Sequence, residues 1–161
     1  MKKNLFKKTN GFTLIELLVV ISIIGLLSTL SVVSLNNARL KSRDAKRLSD
    51  VKQMQTALEL YYNDCNRYPP ENAAALNNIG TTVAQGGAEC PGSNVYLSMI
   101  PTNPAPRLDG GCPDADYYYE IQTFGGVPAG SYTITYCLGQ TTAGIPGGVD
   151  HRSTPAGLLN D

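Results

Sequence analysis

Few residues in this 161-residue chain could do chemistry, and most fail on spacing. His151 is the sole histidine, and it lies in a Gly/Pro-rich stretch with only Asp150 beside it. A general base needs a positioned partner and a dry pocket, and neither is signalled there. Cys65, Cys90, Cys112 and Cys137 form no Cys-x-x-Cys pair and no zinc-like spacing. Asp109, Asp114 and Asp116 form an acidic group whose spacing fits a solvated loop better than a calcium loop. No phosphate-binding Gly-Lys loop, Gly-x-Ser-x-Gly or His-Glu-x-x-His is present. The expectation is a non-enzymatic protein without a metal or cofactor. The residue that stands out is Glu16, a lone carboxylate inside an apolar run.

The surrounding elements explain why Glu16 matters. Residues 1–11 form a short basic leader with Lys2, Lys3, Lys7 and Lys8. Residues 17–38 then carry no charge for 22 positions. At 1.5 Å per residue that stretch reaches roughly 33 Å, the hydrocarbon thickness of a bilayer. In lipid it must be helical, and the lysines hold its N-terminal end in the cytoplasm. Residues 12–38 are therefore read as a transmembrane helix.

Residues 39–64 continue that helix amphipathically. Leu40, Asp44, Arg47/Leu48, Val51, Met54, Leu58 and Tyr61/Tyr62 recur every three or four positions. Arg39–Lys52 holds six basic residues and two acids, read mainly as a solvated face. Asn66, Pro69 and Pro70 end the helix. Beyond Lys52 only Arg67, Arg107 and Arg152 face ten acids, so the body is acidic and unsuited to nucleic-acid phosphates.

Residues 65–161 read as an extracytoplasmic α+β head. Residues 70–78 suggest a short helix, 81–90 a loop, and 95–100 a strand. Residues 103–116 read as irregular. Residues 117–124 and 131–138 suggest a β-hairpin around Gly-Gly-Val-Pro-Ala-Gly. Residues 139–161, with five glycines and two prolines, read as a flexible tail. Four cysteines outside the cytoplasm suggest two disulfides in one of three connectivities. Cys65–Cys90 with Cys112–Cys137 is favoured, because it ties the helix end to the next loop and the pre-hairpin segment to its second strand.

The run Gly11-Phe12-Thr13-Leu14-Ile15-Glu16-Leu17-Leu18, set between a basic leader and an apolar helix, resembles the type IV filament family of pilins and type II secretion major pseudopilins. Arg67-Tyr68-Pro69 is similar to the tripeptide that follows the long helix in the pseudopilins. The resemblance implies a pilin-like fold, cleavage between Gly11 and Phe12 by a prepilin peptidase, and N-methylation of Phe12. It implies that Glu16 pairs with the Phe12 amine of a neighbouring copy during assembly into a homopolymer. The other partners it implies are an assembly ATPase, a platform membrane protein and minor pilins. The subunit would wait in the cytoplasmic membrane and end in an extracellular or periplasmic filament, with DNA uptake among its possible roles. A proline that breaks the helix near Val33 in many pilins is absent; Gly25, Ser28, Ser31 and Ser34 occupy that interval. The alternative is a monomeric, signal-anchored extracytoplasmic domain, which would keep Met1.

Overall fold

The computed structural model describes residues 11–70, 83–84 and 90–159. Residues 1–10 of the leader and 71–78 of the expected short helix lie outside the described residues. One helix, α1 (Leu14–Cys65), runs without a break. Only Gly25 interrupts its helix-compatible sequence, and no proline occurs before Pro69. It stops at Asn66, whose positive φ of 54° lets its N–H bond the Tyr62 carbonyl at 2.8 Å.

The protein divides into two units, residues 1–38 and 39–161. In the first, every described residue is exposed. Four of its five helical hydroxyls are satisfied locally: Ser22, Ser28 and Ser31 donate to the carbonyls of Leu18, Ile24 and Leu27 at 2.8, 2.7 and 2.9 Å. Thr29 donates to Leu26 at 2.8 Å. Such bonds let polar side chains sit in an apolar helix without an unpaired donor.

The second unit joins the rest of α1 to two antiparallel sheets. β1 (Val83–Ala84) pairs with β2 (Val95–Leu97). β3 (Tyr118–Phe124), β4 (Val127–Leu138), β5 (Gly148–Thr154) and β6 (Gly157–Leu159) form a four-stranded sheet in sequence order. The arrangement is α+β and pilin-like. The helix stripe Leu48, Val51, Met54, Leu58 and Tyr61 belongs to one core with Tyr119, Tyr132, Ile134, Tyr136 and Leu138 from the sheet.

Three expectations need correction. The hairpin turn is only Gly125-Gly126, both at positive φ, so β4 begins at Val127. Two such residues give the tight turn whose twist matches the strands. Val83–Ala84 is a strand, although the sequence there suggests loop. The supposed flexible tail forms β5 and β6. Its inward residues are His151 and Ser153, polar side chains that hide the usual apolar alternation. His151 is 5% exposed and lies 5.5 Å from the Tyr136 ring, so it is a packed residue of the sheet and not part of a loose tail.

Candidate assembly site

Glu16 sits in the first turn of α1 and closes it from within. Thr13, just before the helix, donates its N–H to Glu16 Oε2 at 2.9 Å and its hydroxyl to the same oxygen at 2.6 Å. The Glu16 N–H returns a bond to Thr13 Oγ1 at 3.3 Å. This is a capping box, which satisfies N–H groups that a helix start leaves unpaired. The spacing Thr-x-x-Glu before an apolar run signals it in the sequence, a cue the reading of Glu16 as a lone charge passed over. The box engages Oε2 and leaves Oε1 without a hydrogen bond among the described residues. Gly11 and Phe12 precede the helix and are exposed, Phe12 at 73%.

The head is organised around a buried ionic cluster. Arg47 is 1% exposed and Asp44 is fully buried. Arg47 donates Nη1 to Asp44 at 2.7 Å, Nη2 to Asp109 at 2.6 Å and Nε to Asn103 at 2.8 Å. Arg43 pairs with the other Asp109 oxygen. Asp44 also accepts the N–H groups of Gly139 and Gln140, each at 2.9 Å. Two sequence readings are corrected here. The basic stretch is not only a solvated face, because Asp44 and Arg47 fall on the buried stripe. Asp109 is no solvated loop acid, because two arginines neutralise it. Asp116 and Asp114 lie near Arg107, at 3.0 and 4.0 Å.

Disulfides join Cys65 to Cys90 and Cys112 to Cys137. Tyrosines serve as donors to helix carboxylates. Tyr117 bonds Asp50 at 3.0 Å, and Tyr68 and Tyr132 bond Glu59 at 3.1 and 3.4 Å. Burial pushes the Asp50 carboxyl above its ordinary pKa. Burial and then the Asp50 charge push the Tyr117 hydroxyl well up. Arg67 and Tyr68 follow the helix, and Tyr68 packs edge-on against Tyr132 at 4.7 Å.

The second unit is thus a cross-braced scaffold and the first an exposed apolar helix, and comparisons with known proteins bear on both. A family described as Prokaryotic N-terminal methylation motif matches residues 6–32. The chain is 34% identical over 100 residues to type II secretion system core protein G of Aeromonas hydrophila, covering 61% of this chain and 68% of that protein. It is 42% identical over 94 residues to the core protein G of Klebsiella michiganensis, covering 58% and 66%. A probable minor fimbrial protein of Dichelobacter nodosus is 32% identical over 102 residues, covering 61% and 55%. No solved structure matches the chain. These matches define a prepilin-type structural subunit of a filament, processed at its N-terminus. The chain belongs to the type IV filament family that holds the pilins and the type II secretion pseudopilins.

Proposed function

We propose that this chain is the repeating subunit of a type II secretion-type pseudopilus, without enzymatic activity of its own. A prepilin peptidase cuts between Gly11 and Phe12 and methylates Phe12. The subunit is stored in the membrane with its N-terminus in the cytoplasm and its head outside. It then joins a filament through residues 12–38. An assembly ATPase and a platform membrane protein supply the extraction work, since the sequence has no nucleotide-binding motif. Minor pilins are further partners.

The observation that carries this reading is the exposure of α1 in its first unit. Leu14, Ile15, Leu26, Leu30 and Val33 are all exposed, and no described residue of that unit is buried. An apolar surface of this extent requires cover, first by lipid and then by like helices. Glu16 Oε1 supports the pairing. The capping box holds the carboxylate outward through Oε2, and Oε1 is left to accept the Phe12 amine of the next subunit.

The test is processing. A bulky residue at position 11 should block the peptidase cleft, so Gly11→Leu is expected to accumulate uncut. N-terminal sequencing and mass spectrometry read the result. A Gly11→Leu chain that still begins at methylated Phe12 removes the cleavage reading, and normal filaments from uncut chain remove the requirement for processing.

A further inference from the structure

We propose that Arg39 and Lys41 form a basic collar that binds anionic phospholipid headgroups on the head side of the membrane. The collar rests on the reading above, in which residues 12–38 span the bilayer. Its residues follow the 22-residue uncharged run at once, so they fall at the depth of the headgroups.

The basic residues of this stretch split into two groups. Arg43 and Arg47 turn inward and are neutralised by Asp109 and Asp44. Arg39 and Lys41 are exposed and form no ion pair among the described residues. Lys46 is 57% exposed and only grazes Asp50 at 3.9 Å, so it adds a third positive group higher on the helix.

The angular spread favours lipid over protein. At about 100° per residue, Arg39 and Lys41 lie roughly 200° apart around the helix. One face of a protein partner meets one side of a helix, whereas a bilayer surface surrounds it. Basic residues on the head side also run against the usual cytoplasmic bias, so they call for an attraction that holds them there. Anionic headgroups supply it, strengthening affinity by roughly fivefold for each basic residue near the surface. The collar thus holds the inserted subunit at a fixed depth, and assembly must break these contacts as the helix leaves the membrane.

The experiment reconstitutes the full chain in phosphatidylcholine vesicles doped with spin-labelled phosphatidylglycerol or spin-labelled phosphatidylcholine. Electron paramagnetic resonance gives the relative association of the two lipids with the protein. Phosphatidylglycerol is expected to be favoured about fivefold or more, and the preference should fade in high salt. Arg39→Gln with Lys41→Gln should lower the ratio severalfold, leaving only the part that the leader lysines and Lys46 supply. Arg39→Lys with Lys41→Arg should keep it, and Lys52→Gln, farther along the helix, should leave it unchanged. Inserted chain with equal association for both lipids overturns the collar and leaves the filament reading intact. So does a double Gln variant whose preference is undiminished from that of the unaltered chain. Equal association together with Lys41 cross-linked to an acid of a neighbouring copy in filaments assigns the collar to protein contact instead. Chain that an alkaline wash strips from the vesicles overturns the membrane-stored subunit and the collar together.

Discussion

Asp44 receives the Arg47 guanidinium at 2.7 Å one helical turn away, and both side chains are buried. The pair is a latch as well as a salt bridge. Asp44 holds the backbone after β4 through Gly139 and Gln140, and Arg47 holds the 103–116 loop through Asn103 and Asp109. Breaking a buried pair from one side leaves the other charge uncompensated.

Asp44→Ala should therefore destabilise the head by about 3–5 kcal/mol. It strands Arg47 and two backbone donors together. Asp44→Asn should cost less, because an amide oxygen still accepts a hydrogen bond. Thermal unfolding followed by near-ultraviolet circular dichroism of the tyrosines measures this. Equal melting of Asp44→Ala and wild type would show that the latch contributes nothing net.

The latch also explains what was legible in the sequence and what was not. The stripe Asp44, Arg47/Leu48, Val51, Met54, Leu58 could be read because helical period survives whatever the side chains are. Its polar members could not be recognised as buried, because their distant partners, Asp109 for Arg47 and the Gly139 and Gln140 N–H groups for Asp44, lie more than 60 residues away and only the fold brings them there. The helix end was legible in Asn66 and the prolines, and the hairpin in its Tyr, Ile and Thr content. β5 was hidden because His151 and Ser153 occupy core positions where Val or Ile would have signalled a strand, and β6 because it is only three residues long. At the assembly site, Glu16 was legible as an anomaly, and its bond to Thr13 was signalled by the Thr-x-x-Glu spacing that opens the apolar run.

Gly110 meets Gly139 where the latched segments cross. A Cβ at Gly110 would lie 2.4 Å from Gly139 Cα, and φ there is already +59°. Gly110→Ala is thus expected to push the 103–116 loop off α1 and weaken the Asp109 contacts, at a cost of several kcal/mol. Gly111→Ala meets no atom within 4 Å and carries only the φ penalty, about 1 kcal/mol. Comparing the two melting curves separates collision from backbone preference. Equal destabilisation would show that the close approach at Gly110 relaxes easily.

Asp50 gives the head a pH dependence. It is 4% exposed, accepts the Tyr117 hydroxyl, and is only weakly compensated by Lys46 at 3.9 Å. Burial raises its folded pKa above the unfolded value of about 4. The folded state therefore binds the proton more tightly than the unfolded chain. The stability gained this way is full below the unfolded pKa and is lost as pH rises through the raised folded value. Asp50→Asn keeps an acceptor for Tyr117 and removes the buried charge. It should melt higher than wild type at neutral pH, and the two curves should converge as pH falls toward about 4. Parallel pH profiles for the two proteins would exclude Asp50 as the source.

Glu16 should direct assembly while contributing nothing to the fold of the head. It belongs to the first unit of the chain, and among the described residues its hydrogen bonds are confined to Thr13. Replacing a carboxylate in the membrane by an apolar group eases insertion by roughly 2–3 kcal/mol at a central position and by less near the interface. Glu16→Val should therefore reach the membrane at normal or higher levels, with an unchanged head, yet yield few sheared filaments. Glu16→Asp keeps the charge with a shorter reach and should rescue in part. Glu16→Gln can still accept the Thr13 N–H, but it offers no charge to the Phe12 amine and should rescue poorly. Thr13→Val separates the two roles of the carboxylate. It removes the hydroxyl of the capping box, at a cost of about 1 kcal/mol to the helix start, and leaves the charge in place. If Glu16 acts through charge, Thr13→Val filaments should form at reduced yield, well above Glu16→Val. If it acts only as a cap, Thr13→Val and Glu16→Val should fail alike. Membrane level, cleavage and filament yield measured on all four variants decide between these outcomes, and normal filaments from Glu16→Val would refute the electrostatic pairing outright.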